Sequence, residues 1–188
     1  MANVSRITGF RPVKTGNGAP WNGQLTRYYI ASGASGAIGR GDLVSLSGDA
    51  DVDGVRGVTK TAVGAASIGA VVSFDFDMEN LNSPQYRPAG TVRYVYVADD
   101  PDTIYEAQAS GSVSGGVVGS NANHADAGVN PATGGSGETV DLSTAATTNT
   151  LTLKILSFTQ TPENELAANA KVQVKINNHQ LGNSTTGV

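Results

Sequence analysis

Short runs of alternating or wholly apolar residues, set apart by Gly, Pro, Asn and Asp, recur along the chain. That rhythm has the period of strands, not of helices. Lys171–Asn177 (KVQVKIN) is the cleanest case, with Val172, Val174 and Ile176 on one face and Lys171, Gln173 and Lys175 on the other. Such a strand, wet on one face, belongs to an antiparallel sheet. Leu151–Ile155 alternates as well, and Leu156 with Phe158 then shifts the phase, which predicts a bulge. Asp42–Ser47 and Val55–Val63 read as short strands around the loop Gly48–Gly54, and Ile68–Phe76 as a buried one. The strongest hairpin signal is Thr91–Ala109. Thr91–Ala98 is rich in Val and Tyr, Asp99-Asp100-Pro101-Asp102 breaks the run, and Thr103–Ala109 resumes it. About eight strands and no long helix predict an all-β fold, a compact antiparallel β-sandwich or barrel with an extended N-terminal arm.

The arm is the stretch 1–36, and the β domain spans 37–188. Val4, Ile7, Phe10 and Val13 recur every third residue, a spacing from which a helix would drift, and Pro12 with Gly9, Gly16 and Gly18 opposes one. Gln24–Ala31 is a first strand or a docking segment in which Tyr28 and Tyr29 point to opposite faces. Ser110–Gly137, dominated by Gly, Ser, Ala and Asn, reads for the most part as a long loop, with strand pairing open at Val113 and Gly116–Val118, and Thr139–Thr150 as a surface connection.

Charge sharpens the division. No acidic residue precedes Asp42, whereas Arg6, Arg11, Lys14, Arg27 and Arg40 do, although the whole chain carries −4. A basic arm on an acidic body suggests different partners for the two ends. The arm's apolar residues need a cover that an isolated extended segment lacks. The expectation is therefore that deleting some twenty residues leaves the β body folded and weakens docking. Candidate contact residues are Arg6, Ile7, Phe10, Arg11, Lys14, Trp21, Tyr28 and Tyr29.

Composition limits the chemistry. There are no cysteines, so disulfides and thiolate metal sites are excluded. No apolar run of transmembrane length occurs, and Met1–Phe10 lacks the apolar core of a signal peptide. His124 and His179 are isolated and read as solvated loop residues. Asp49, Asp51, Asp53 and Gly54 match the front half of a calcium loop, but the twelfth position is Lys60, so an acidic turn is favoured and no metal is expected. Neither a G-x-S-x-G elbow nor a phosphate loop is present, and no enzyme or cofactor is indicated. Cations interleaved with aromatics are also used by single-strand binders, yet an isoelectric point near 5.0 puts nucleic acid well below protein docking.

Several segments resemble a family. Arg6–Val13, Asn22–Ile30, Gly41–Gly48, Tyr86–Gln108, Ser143–Leu156 and Lys171–Gly182 are similar to segments of the head decoration, or cement, proteins of tailed bacteriophages. The resemblance implies a virion protein on the outer capsid surface that clamps neighbouring subunits of the phage major capsid protein, often as a homotrimer. Many strand edges in need of cover fit an oligomer. A second class stays open: a host-recognition or carbohydrate-binding β domain, such as a head fibre base, using Trp21, Tyr86 or Tyr105 as stacking platforms.

Overall fold

In a computed structural model, which describes residues 3–78 and 80–182, the predicted strands close into two five-stranded rings. Among the described residues there are thirteen strands and, as helix, one short 3₁₀ turn, so the all-β expectation holds.

The first ring is made of β2 (Thr26–Ile30), β3 (Leu43–Ala50), β4 (Arg56–Lys60), β5 (Gly69–Phe74) and β6 (Arg93–Ala98). It is a closed barrel in the order β2-β4-β3-β5-β6. β2 and β4 run parallel, and the other neighbours are antiparallel. The second ring uses β7 (Thr103–Ser110), β8 (Asn121–Ala125), β11 (Thr139–Ala146), β12 (Leu153–Phe158) and β13 (Lys171–Ile176). Its order is β7-β11-β8-β12-β13, and the β13–β7 pairing closes it. Again the first and third strands in chain order run parallel and all other neighbours antiparallel. The connectivity of the first barrel is therefore repeated in the second. β9 (Val129–Asn130) and β10 (Gly135–Ser136) form a small hairpin between β8 and β11.

Each barrel is filled by side chains, as small barrels must be. Tyr28, Ile30, Val44, Val58, Val71, Val95 and Val97 fill the first. Tyr105, Ala107, Ala122, Val140, Leu153, Ile155, Val172 and Val174 belong to the second cluster. The seam between them explains the apolar run at β5. Leu43, Ala70 and Ala98 alternate with Val44, Val71 and Val97, and the first three pack with the second cluster. These strands are covered on both faces, so their sequences lack a polar phase. β13 keeps the inward Val172, Val174 and Ile176 read from sequence, and the bulge in β12 falls between Ile155 and Ser157.

Several expectations need correction. Thr91–Ala109 holds two strands, but they do not pair with each other. β6 pairs with β2 and β5, and β7 with β13 on one edge and with β1 and β11 on the other. With both edges of each strand taken, Asp99–Asp102 becomes the crossing between barrels. Asp99 accepts from Thr26 and Tyr28 of the first, and Asp102 from Lys175 of the second.

The arm is not an arm. β1 (Arg11–Thr15) pairs with β7, β2 is a barrel strand, and Phe10 and Tyr28 are buried. The two barrels meet between β6 and β7, and the segment before β2 belongs to the second, so no boundary falls after residue 36. Ser110–Gly137 contains β8, an interior strand of the second ring, and Thr139–Thr150 begins with β11. Small residues suit that ring because Ala107, Ala109 and Ala122 leave room for Tyr105, Leu153 and Ile155 inside it. Ring closure also removes most of the open edges that had suggested an oligomer.

Candidate functional site

The eight predicted contact residues do not form one patch. Arg6 donates its backbone N–H to Gln108 (2.7 Å) while its side chain is exposed, and Ile7 is 42% exposed. Arg11 reaches Glu106 at 3.3 Å, and Lys14, half-buried, lies opposite Ile104. Trp21 is half-buried against the second cluster. Tyr29 is half-buried, with its ring 5.7 Å from that of Tyr94. Phe10 and Tyr28 are core and cannot touch a partner. Tyr28 donates to Asp99 (2.7 Å), receives Arg56 (3.1 Å), and burial pushes its hydroxyl well above the usual tyrosine range. Tyr105 is buried too, so it offers no stacking platform.

The surface feature that sequence reading passed over is the loop between β5 and β6. Phe76, Met78 and Leu81 are 83%, 84% and 77% exposed. They stand beside a groove of about 270 Å³ whose walls include Phe74, Pro84, Arg40 and Arg93. Arg93 lies 5.8 Å from the Phe74 ring and donates to the carbonyls of Asp75 and Pro84, and Arg40 donates to that of Thr133. Neither cation has a carboxylate partner among the described residues. The sequence carries the loop as DFDMENL, in which apolar and acidic residues alternate, a pattern that does not say whether the apolar side chains are covered.

The acidic turn joins β3 and β4. Asp51 accepts from the N–H groups of Asp53 and Val55 and from the Tyr94 hydroxyl, contacts that hold its carboxyl below the usual range. No group of three His, Asp or Glu side chains arranged to hold a metal ion is found among the described residues. No helix is long and apolar enough to cross a membrane, again among the described residues.

A second constellation lies at the seam. Asp42 precedes β3, Lys60 ends β4, Asp126 follows β8 and Glu138 precedes β11. The Lys60 Nζ is 2.7 Å from Asp126, 3.3 Å from Asp42 and 3.9 Å from Glu138. Asp42 and Glu138 are wholly buried. Glu138 accepts the Leu43 N–H (2.9 Å), and Asp42 accepts that of Gly39 (2.8 Å). One oxygen of each, Asp42 Oδ1 and Glu138 Oε1, has no hydrogen-bond partner among the described residues. Gly41, just before Asp42, lets the Thr8–Phe10 segment pass close by: a Cβ there would run into the Thr8 carbonyl, and its φ of +93° suits glycine. Burial, with the nearby Asp42 charge, pushes Glu138 well above the usual carboxyl range. Burial also raises Asp42, against the pull of Lys60. Burial works against the Lys60 charge, but Asp42, Asp126 and Glu138 together hold it above its usual value.

Both histidines are buried, against the solvated-loop expectation. His124 contacts the Thr61 carbonyl (3.3 Å), and His179 Nδ1 accepts the Leu181 N–H (3.1 Å). Burial lowers both pKa values. The unfolded imidazole titrates near about 6.5. With a lower folded value, the unfolded chain takes up the proton first, so stability is full above about pH 6.5 and falls with acidification. The melting temperature of the wild type should drop more between pH 7 and pH 5 than that of His179→Gln, which still accepts from Leu181. Equal drops would remove His179 from the acid response.

No protein-family model, curated protein or solved structure matches the chain. The fold and its surfaces define a tandem two-barrel all-β protein.

Proposed function

We propose that the protein is a structural component of a tailed-phage virion, decorating the outer capsid surface as a homotrimer and clamping neighbouring subunits of the major capsid protein. The observation that carries the reading is the loop bearing Phe76, Met78 and Leu81, exposed together beside a groove of mixed apolar and charged lining. Clustered apolar side chains of this size are unfavourable in water and mark surfaces that a partner covers. The resemblance of the segments noted above supports the choice of partner. The exposed Arg6, Ile7 and Arg11 and the half-buried Lys14, Trp21 and Tyr29 remain candidates for a second contact; Phe10 and Tyr28 do not. Two rigid barrels in one chain suit a clamp, because each can rest on a different capsid subunit, and two weak contacts joined in one body bind far more tightly than either alone.

The test uses expanded capsids from which the protein is absent. Wild type should bind them. The variant Phe76→Ser, Met78→Ser, Leu81→Ser should melt within about 0.5 kcal/mol of wild type, as exposed substitutions do. Its capsid affinity should fall by at least about thirtyfold, the loss of one hot spot of about 2 kcal/mol. Full binding by the variant would remove the loop from the interface, and failure of the wild type to bind would overturn the capsid reading.

A further inference from the structure

We propose that Lys60 and Asp42 condense into an intramolecular amide, a self-formed covalent staple between the Lys60 Nζ and the Asp42 Cγ, with Glu138 as the proton shuttle.

The geometry supplies each part. The Nζ is 3.3 Å from Asp42 Oδ2, which places it within reach of the adjoining carbon. Val44 lies directly opposite Lys60 in the β3–β4 ladder, so Asp42 is two residues along the facing chain and the two side chains are diagonal neighbours. Glu138 arrives from the other barrel, held by the Leu43 N–H, with Oε1 3.9 Å from the same nitrogen. Of the four buried side-chain oxygens without a hydrogen-bond partner among the described residues, two, Asp42 Oδ1 and Glu138 Oε1, belong to this group. Lone unpaired acceptors are costly in a buried site, and a proton held by Glu138 turns one of them into a donor. Burial favours that protonated form of Glu138 and the uncharged form of Asp42.

The chemistry balances without an outside reagent. Lys60 passes one proton to Asp42, leaving a neutral amine and a carboxylic acid. The nitrogen lone pair attacks Cγ while the Asp42 carbonyl oxygen takes the Glu138 proton. The new ammonium then returns a proton to Glu138. Glu138 gives it to one of the two hydroxyls, which leaves as water. The remaining hydroxyl proton restores Glu138, and the carbonyl reforms as an amide. A buried ion pair becomes a neutral amide, which removes the desolvation cost of both charges.

Asp126 is the competing acceptor, at 2.7 Å, and it is the poorer one. Its side chain is 35% exposed, it also accepts the Gly128 N–H, and the Lys60 bond holds it ionised despite partial burial. A carboxylate anion resists attack by a nucleophile, whereas a carboxylic acid accepts it. The remaining titratable group at this seam, His124, is kept neutral by burial and contacts the Thr61 carbonyl, so it adds no charge.

The test is the intact mass of the folded full-length protein, measured after denaturation. The wild type should be one water lighter than its sequence. Trypsin should fail to cut after Lys60, and a linked peptide should join Lys60 to Asp42. Chain kept unfolded in denaturant from synthesis onward should keep its full mass. Lys60→Arg and Asp42→Ala should match their own sequence masses. Glu138→Gln, which keeps the hydrogen bond from Leu43 but cannot shuttle a proton, should condense at least tenfold more slowly. Wild type at full mass after prolonged incubation, with normal cleavage after Lys60, would overturn the proposal even if every variant misfolds. So would a water loss that maps to Asp126, or to Asp53, which precedes Gly54 and can close on the next backbone nitrogen.

Discussion

Removing residues 3–16 should abolish cooperative folding, and Phe10→Ala alone should cost about 3–5 kcal/mol, the range for a buried aromatic. Phe10 is 1% exposed and packs in the second cluster, and its N–H donates to the Gly41 carbonyl at 2.8 Å. Ahead of it, Asn3 donates to the carbonyls of Glu165 and Ala168 and accepts the Glu165 N–H. Behind it, β1 covers the β7 edge from Thr103 to Glu106. The truncation thus opens a cavity, strips hydrogen bonds and bares a strand edge at once, against a total stability of about 5–15 kcal/mol for an ordinary protein. For a chain of this size the single substitution corresponds to a fall in melting temperature of roughly 6–20 °C. Thermal melts of both variants check it. A truncated protein that melts at the wild-type temperature would restore the docking-arm expectation raised by the sequence and refute the integration of residues 3–16.

Arg87→Met should be as damaging, by about 3–5 kcal/mol, because it strips the donor from several carbonyls at about 1–3 kcal/mol for each one left buried and unpaired. Arg87 is wholly buried and has no carboxylate partner among the described residues. Its guanidinium donates to five carbonyls: Ala31, Ser32, Ala34, Gly36 and Thr91, at 2.6–3.3 Å. Its backbone pairs in both directions with Ile38. A planar fork with five donors can gather a turn of backbone in this way, and neither methionine nor lysine can replace it. The segment from Ala31 to Ile38 leads from β2 towards β3, so its loss should loosen the entry to the first barrel. Melting should show the destabilisation, and hydrogen exchange should show lost protection at the Ile38 and Ala34 amides. A change under about 1 kcal/mol would mean that water satisfies those carbonyls instead.

Arg87 carried no sequence signal, because its role comes from curvature in a segment fifty residues away. The same holds for the seam. Asp42, Lys60, Asp126 and Glu138 are separated in sequence, and each reads locally as a surface charge. Lys60 was noticed only as the residue that spoiled a calcium loop. Their convergence exists only because two barrels pack face to face. Conversely, the exposure of the apolar side chains from Phe76 to Leu81 is not legible in the letters. Alternation does not say whether anything covers the apolar side, and that is a non-local fact.

By itself the sequence determined where strands form. Val, Ile, Tyr and Thr at alternating positions, broken by Gly, Pro and Asp, set the extended backbone at β2 to β7, β12 and β13, and the bulge in β12. These features depend on sterics and side-chain direction within a few residues. Tertiary structure alone decided which strand lies beside which. Backbone N–H and C=O groups are alike in every residue but proline, so hydrogen-bonding edges carry little sequence information. β6 and β7 look like a hairpin and part company because other strands occupy their edges. The repeated ring order is invisible for the same reason: pairing order belongs to the backbone, and the residues filling the two barrels differ, with Tyr28 and Ile30 on β2 and Tyr105, Ala107 and Ala109 on β7. Burial then followed from pairing, turning an expected basic arm into core and two expected surface histidines into interior groups.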